Sequence, residues 1–216
     1  TDTVQSAMTY TLAATLENLT LTGTVVINEI GREACRDRMV RAAEIRVVAG
    51  SQASARRASD AAIAKMARLE SVFSAYDDGS EPSRWKRDDV GDPSDEFSVV
   101  MAAALDWQRR SDGAFNPLSG VVSSMWRRAA ASGAPPSGSD LRDVVESIRE
   151  PRFEMRDGRP VRLGDCADLN LNAIAKGFVV DAAVRSVAAE FDPAVILIGA
   201  GGDLAQRGEQ PSRVAI

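Results

Sequence analysis

Residues 170–203 read NLNAIAKGFVVDAAVRSVAAEFDPAVILIGAGGD. Behind the opening polar residues, apolar side chains recur at helical spacing, at Phe178, Val179, Ala183 and Val187. The later run from 194 to 198 is unbroken, apolar and of strand length, and it stops at a glycine-rich turn. The stretch therefore predicts a helix that is followed by a buried strand.

The first half of the chain has the same two patterns in the reverse order. Residues 44–48 have the pattern of a half-buried strand, and Ser54–Ser74 has the spacing of a helix. The predicted core stripe of that helix consists of Ala62, Met66, Leu69 and Phe73. Residues 1–38 are rich in threonine and β-branched residues, which favours one or two strands there. Strands interleaved with helices favour an α+β or α/β fold, with mixed sheets and packed helices.

The middle of the chain predicts further helices joined by polar segments. Residues 97–105 repeat at helical spacing, a helical segment surrounds Trp126, and another helix spans Ser139–Ile148 with Ser139 as its candidate cap. The charged stretch 83–95 is predicted to be a surface loop, and a short polar hairpin is predicted near Asp157.

The composition limits the classes of function. The chain has 26 basic and 31 acidic residues and a net charge of -5, and its basic residues are dispersed, which argues against a nucleic-acid partner. Histidine is absent, which excludes a histidine-based triad, a histidine general base and histidine-ligated metal sites in this chain. Cys35 and Cys166 lie far apart and outside any metal-ligand spacing, so they predict neither a disulfide framework nor a zinc site. A metal bound here must have oxygen ligands.

The N-terminal stretch from Thr9 to Ile30 is not a continuous apolar segment. Glu17, Asn18 and Asn28 interrupt it, and no basic segment precedes it. The sequence therefore predicts neither a membrane span nor an export signal.

Two segments are candidates for binding phosphate. Glycines at 199–202 leave backbone amides open to a phosphate, although the same residues also suit a tight turn at the end of a strand. Asn170, Asn172 and Lys176 surround a helix N-terminus, where free amide groups and the helix dipole favour an anion such as a diphosphate. The alternative is that Asn172 only caps the helix and Lys176 is solvated.

Two further segments are candidates for contact with a ring or a ligand backbone. Tyr76 follows a helix at a polar turn, where it could stack on an adenine or isoalloxazine ring or serve only as a packing residue. Phe115, Asn116 and Pro117 form a loop whose backbone could bind a ligand, or an ordinary turn between helices.

Taken in order, four blocks of the sequence resemble the ApbE family of FAD:protein FMN transferases. They are LESVFSAYDDGSEPSR at 69–84, SDGAFNP at 111–117, NLNAIAKG at 170–177 and LIGAGGD at 197–203. The corresponding family patterns are LE-x-x-x-S-x-Y followed by SE-x-S-R, then G-x-F-(D/N)-P, DLGGIAKG and N(I/L)GGD. The resemblance extends over residues 39–216.

This resemblance implies an ApbE-like, T-fold-like flavin transferase architecture. It also implies an enzyme that transfers FMN from its substrate FAD to a threonine hydroxyl of an acceptor protein, releasing AMP in a Mg²⁺-dependent reaction. Members of the family commonly work in the bacterial periplasm or cell envelope, so the same location is expected here.

The resemblance also assigns roles to individual residues. The implied FAD contacts are Tyr76, the backbone of Ala114, Phe115 and Asn116, and, at the phosphates, Asn170 and Lys176. Asn170 and Lys176 are accordingly the expected catalytic residues, and the carbonyl of Ala173 is the expected Mg²⁺ ligand.

The chain departs from the family pattern at three places. Met39 is followed by Val40-Arg41 where the family has Gly-Thr, and Asn170 stands where the family usually has Asp. The C-terminal third of the family, with the Asp and Thr that complete its metal site, has no counterpart, so further residues are expected after Ile216. We therefore divide the chain into an N-terminal extension at 1–38 and an incomplete FAD-binding catalytic domain at 39–216.

Two other interpretations of the same sequence stay open. One is a flavin-binding protein without transferase activity, and the other is a truncated scaffold that binds partner proteins and no flavin.

Overall fold

The computed structural model describes residues 6–12, 16–21, 25–27, 43–75, 77–89 and 91–208. The chain divides into two compact units. The first unit comprises Thr1–Ser71 and Ala175–Ile216, and the second comprises Val72–Ile174.

In chain order, the described elements are the strands β1 (Ser6–Leu12), β2 (Leu16–Leu21), β3 (Val25–Ile27) and β4 (Ala43–Val48), the helices α1 (Gln52–Phe73), α2 (Glu81–Lys86), α3 (Asp95–Arg110), α4 (Gly120–Ser132) and α5 (Gly138–Ser147), the strands β5 (Phe153–Arg156) and β6 (Arg159–Arg162), the helix α6 (Asn172–Phe191), and the strands β7 (Val195–Ala200) and β8 (Asp203–Gly208).

The first unit contains a sheet whose described strands have the order β1-β2-β3-β4-β7-β8. Every described pair in it is antiparallel, and β4 pairs with β7 from Ala43 opposite Ala200 to Val48 opposite Val195. The expected combination of sheets and packed helices is confirmed, and the antiparallel pairing gives it the α+β form. The strands predicted at 44–48 and 194–198 are confirmed as β4 and β7. Residues 1–38 contribute β1, β2 and β3 among the described strands, which is more than the one or two predicted.

The core of the first unit comes from apolar residues at the predicted spacings. On α1, Ala62, Met66 and Leu69 of the predicted stripe are buried, and β7 is buried along Val195–Ile198. The apolar residues of α6 that are buried are Ala175, Val179, Val180, Ala183, Val184 and Val187. The amphipathic pattern of α1 and the continuous apolar run of β7 therefore identified this core correctly.

The second unit consists of helices and the hairpin β5–β6. Its aromatic core includes Phe97, whose ring centroid lies 6.5 Å from that of Phe73 and 5.6 Å from that of Trp85. In the hairpin, Asp157 and Gly158 have φ angles of 48° and 77°, as a two-residue turn of this kind requires. The predicted polar hairpin is therefore confirmed.

Two local predictions in the second unit are wrong. Residues 83–86 are helical and do not belong to a loop, because the Ser80 hydroxyl accepts a hydrogen bond from the Ser83 N–H and caps α2, while Trp85 is buried. Helix α5 is capped by Ser137, whose hydroxyl accepts from the Asp140 N–H at 3.1 Å, and Ser139 is not the cap. Ser139 lies inside the helix, where its hydroxyl instead shares a hydrogen bond with that of Ser137.

No helix within the described ranges combines the length and the apolar character needed to cross a membrane.

Candidate functional site

A cleft of about 400 Å³ opens in the second unit. It is lined by the end of α1, by α2, by the first turns of α4 and by residues 167–172. The polar side chains among its described lining are Lys86, Ser123, Ser124, Arg127, Asp168, Asn170 and Asn172. A volume of this size is typical of small-molecule sites.

Two backbone hydrogen bonds hold the cleft's two walls together. The Gly120 N–H donates to the Asp168 carbonyl at 3.1 Å, and the Asn170 N–H donates to the Pro117 carbonyl at 2.7 Å. The approach at Gly120 is so close that a Cβ there would lie 2.4 Å from the Asp168 carbonyl oxygen. A glycine at the start of α4 is therefore a geometric requirement of this wall.

The charged groups of the cleft are two cations and one carboxylate among the described lining residues. Burial lowers the pKa of the Lys86 ammonium, and the charge of Asp168 partly offsets this effect whereas that of Arg127 adds to it. Lys86 makes no hydrogen bond or ion pair with any other described residue. The Arg127 guanidinium donates to the Ser124 hydroxyl at 2.8 Å. The cleft therefore has a net positive charge, although the whole chain has a net charge of -5.

Asn170 and Asn172 both line this cleft, at the beginning of α6. The Asn170 side-chain oxygen accepts from the Asn172 N–H at 3.1 Å, so the carboxamide that satisfies this helix end belongs to Asn170 and not to Asn172. Ala173, the expected metal ligand, lies exposed in the first turn of α6.

Ala114 and Asn116, in the turn between α3 and α4, line a second cleft, of about 610 Å³. The Asn116 carboxamide donates to the Ile148 carbonyl at 2.7 Å and accepts from the Leu118 N–H at 2.8 Å, so its side chain ties this turn to the end of α5. The Phe115 N–H donates to the Ser111 hydroxyl at 2.9 Å. Asn170 thus lines a different cleft from Ala114 and Asn116, although Ser123 lines both.

Lys176 lies in the first unit, beside the turn between β7 and β8. Its ammonium donates to the Gly201 carbonyl at 3.3 Å and lies 3.8 Å from the Asp203 carboxylate. Gly201 and Gly202 have φ angles of 57° and 95°, so these glycines make a tight hairpin turn, as one of the two interpretations expected. Lys176 is therefore bound to a backbone turn and not fully solvated.

Some expected site residues and groups are not brought together. Tyr76 lies outside the described residues. No group of three or more acidic, cysteine or histidine side chains that could hold a metal ion occurs in the part of the chain that the structure describes. The described residues alone therefore do not make up a Mg²⁺ site, for which several oxygen ligands are needed.

Sequence reasoning did not identify Lys86 and Arg127 as residues of the cleft. Lys86 was expected in a loop, although Ser80 followed by Glu81-Pro82 is a pattern typical of a helix start and would have placed it at the end of α2. Arg127 was expected on a helix, but nothing in the sequence distinguishes it from Arg128, which lines a different surface cleft with Asp140 and Asp143.

Comparison with known proteins gives a family and a fold. The model of the ApbE family matches residues 39–216. The fold is similar to that of a flavinyl transferase ApbE from Pseudomonas stutzeri in its apo form, with a TM-score of 0.66, 17% identity and 100% of this chain covered. A flavin transferase ApbE from Vibrio cholerae gives a TM-score of 0.63, 16% identity and the same coverage. An ApbE protein from Thermotoga maritima gives a TM-score of 0.60, with 24% identity over 74% of this chain.

These structures are longer than this chain. It covers 66%, 64% and 54% of them, respectively, and so spans less than two thirds of their length. A comparison with curated proteins gave no significant match.

Proposed function

The chain belongs to the ApbE family over residues 39–216, and from this membership we propose that it transfers FMN from FAD to a threonine hydroxyl of an acceptor protein. Family membership is the observation that carries the proposal. The flavin transferases from Pseudomonas stutzeri and Vibrio cholerae, which have a similar fold, support it.

The reaction is a displacement at the FMN phosphorus of FAD. The threonine oxygen forms a new bond to this phosphorus, the bond from the phosphorus to the bridging oxygen of the diphosphate breaks, and AMP leaves with that oxygen. The hydroxyl proton passes to a base or to water. Because negative charge builds up on the leaving phosphate, catalysis depends mainly on orientation and on positive charge near the diphosphate.

Lys176 and Asn170 are the residues that we propose for the phosphate region of FAD. The Lys176 ammonium is held by the Gly201 carbonyl, and its second partner, Asp203, lies 3.8 Å away. An ion pair at that distance is weak, so the Lys176 ammonium can replace its contact with the Asp203 carboxylate by a contact with a phosphate oxygen of FAD. Asn170 has its side-chain oxygen committed to the Asn172 N–H, so its amide NH₂ is the group it can offer to a ligand.

Mg²⁺ dependence belongs to the same proposal. When bound, the ion would neutralise charge on the diphosphate. The Ala173 carbonyl would be one ligand, and the others would be residues other than the described ones, since the described part of the chain holds no metal-binding cluster. We also propose, by family resemblance, that the protein works in the periplasm or cell envelope.

The test is to incubate the protein with FAD, Mg²⁺ and an acceptor fragment that carries a threonine, and to detect the products by mass spectrometry. We expect free AMP together with an FMN adduct on the acceptor. An acceptor with valine in place of the threonine, and a reaction containing a metal chelator, are the controls. Bound FAD without either product would contradict transfer and favour a flavin-binding protein, and no binding of FAD would favour the scaffold.

Lys176→Ala separates a role in binding from a role in folding. The lysine contributes one hydrogen bond and one partly exposed ion pair, so we expect its loss to lower the free energy of unfolding by about 1 kcal/mol or less. We expect the Kd for FAD to rise at least about tenfold, because a charge-assisted contact to phosphate is lost. Arg185→Ala, on the same helix and paired with Asp181, is the matched control. An FAD affinity that Lys176→Ala leaves unchanged would remove this lysine from the site.

A further inference from the structure

The cleft in the second unit holds two cationic side chains that the flavin assignments do not use. Lys86, at the end of α2, and Arg127, on α4, both line it, and Asp168 is the anionic side chain of its described lining. On a chain with a net charge of -5, a cleft with a positive balance is a local feature and does not reflect the overall composition.

Lys86 lacks a partner of its own within the described residues. Its ammonium is partly buried and makes no hydrogen bond or ion pair with them. Asp168 acts on this ammonium only as a neighbouring charge and forms no ion pair with it, so part of the cost of burying the cation stays uncompensated, and an anion in the cleft would lower that cost. The lowered pKa of Lys86, caused first by burial and opposed by Asp168, is consistent with this cost.

Arg127 is positioned for the same ligand. Its guanidinium donates one hydrogen bond to the Ser124 hydroxyl, which leaves most of its donors available. The carboxamides of Asn170 and Asn172 add further donors to the lining, whereas the Ser123 hydroxyl already donates to the Ser119 carbonyl. A set of side chains in which donors predominate suits a phosphate, which offers several acceptor oxygens, better than it suits a single carboxylate.

We propose that Lys86 and Arg127 form a phosphate-binding subsite in this cleft, which receives the phosphate of a nucleotide. The subsite rests on the proposed function only for the identity of that nucleotide, which would be FAD or its product AMP. The binding of phosphate itself depends on the cleft alone.

Calorimetric titration with inorganic pyrophosphate is the primary test. We expect Lys86→Met and Arg127→Met each to raise the Kd of pyrophosphate about tenfold or more, since each removes a charge-assisted hydrogen bond. Arg128→Met is the matched control, because it removes the same charge from the neighbouring residue, which lines a different cleft. Lys86→Arg keeps the charge and should retain most of the affinity, and thermal unfolding shows whether each variant is folded.

Equal affinities in all variants would overturn the subsite, and so would an equal loss in Arg128→Met, because the effect would then be one of net charge. Titration of AMP against adenosine, and of FMN against riboflavin, identifies which phosphate the subsite takes. AMP release from FAD is measured separately on the same proteins. If the wild type releases AMP and the variants bind pyrophosphate as tightly as it does, only the subsite is refuted. If pyrophosphate binding depends on Lys86 and Arg127 but the wild type releases no AMP, only the transferase is refuted.

Discussion

Gly120→Ala is expected to destabilise the second unit, whereas Gly138→Ala is not. Each glycine is the first residue of a helix, α4 and α5 respectively, so the two substitutions are matched in helix position. A Cβ on Gly120 would lie 2.4 Å from the Asp168 carbonyl oxygen, which is a backbone atom that cannot rotate away. A Cβ on Gly138 would meet nothing within 4 Å.

The size of the effect follows from what must move. To admit the methyl group, the turn 117–120 must separate from the segment 168–170, which breaks the hydrogen bond from Gly120 to Asp168 and weakens the one from Asn170 to Pro117. Each contributes about 1 kcal/mol, and overpacking typically costs about 1–3 kcal/mol. We therefore expect Gly120→Ala to lower the free energy of unfolding by about 2–4 kcal/mol. Gly138→Ala should change it by less than about 1 kcal/mol, towards greater stability.

Urea unfolding followed by tryptophan fluorescence measures this difference. Trp85, Trp107 and Trp126 all lie in the second unit, so the signal reports on the unit that contains both substitutions. At similar slopes, the expected loss shifts the midpoint of Gly120→Ala well below that of Gly138→Ala. Coincident midpoints for the two variants would refute the inference that the approach of Gly120 to Asp168 holds the cleft walls together.

Three further predictions concern single side chains. Ser137→Ala should lower the free energy of unfolding by about 1 kcal/mol because it removes the cap of α5, whereas Ser139→Ala should change it less; the reverse order in urea unfolding would restore Ser139 as the cap. The pKa of Lys86 is lower in the folded protein than in the unfolded chain, so the folded state releases this proton first. The free energy of unfolding of the wild type should therefore rise relative to that of Lys86→Met as the pH increases towards 10.5, the ordinary pKa of lysine. Parallel curves of unfolding free energy against pH for the two proteins would contradict this. In a Cys35→Ser background, the fully buried Cys166 thiol, whose pKa is raised first by burial, should react with a thiol reagent only when urea unfolds the protein, and rapid labelling of the folded protein would count against its burial.

The parts of the fold that the sequence predicted are those with one clear period. The stripe on α1 and the apolar run of β7 each satisfy a single spacing, and both were placed correctly. Helix α2 was missed because six residues, EPSRWK, are too few to show a period, and its charged residues resemble those of a loop. Its cap at Ser80 was the available signal.

The candidate site was less predictable, because a cleft is formed by residues far apart in the chain. The sequence indicated the segment at 170–176 through its amides and its lysine, but it gave no reason to connect Lys86 with Arg127. These residues are 41 positions apart, and only the tertiary fold of the second unit places them on one cleft. The distinction between Arg127 and its neighbour Arg128 is likewise one of helix face, which net charge does not reveal.

The pairing of β4 with β7 has a consequence for the order in which the protein can form during synthesis. Val48 lies opposite Val195, so the partner of β4 leaves the ribosome only after roughly 150 further residues have been added. The second unit is continuous in sequence and lies entirely within this interval, so it can fold while the first unit still lacks β7. Until then one edge of β4 has no partner from β7, and its hydrogen-bonding groups are open to other chains. We therefore expect ribosome-bound nascent chains that end before residue 195 to depend more on chaperones than chains that extend past β8.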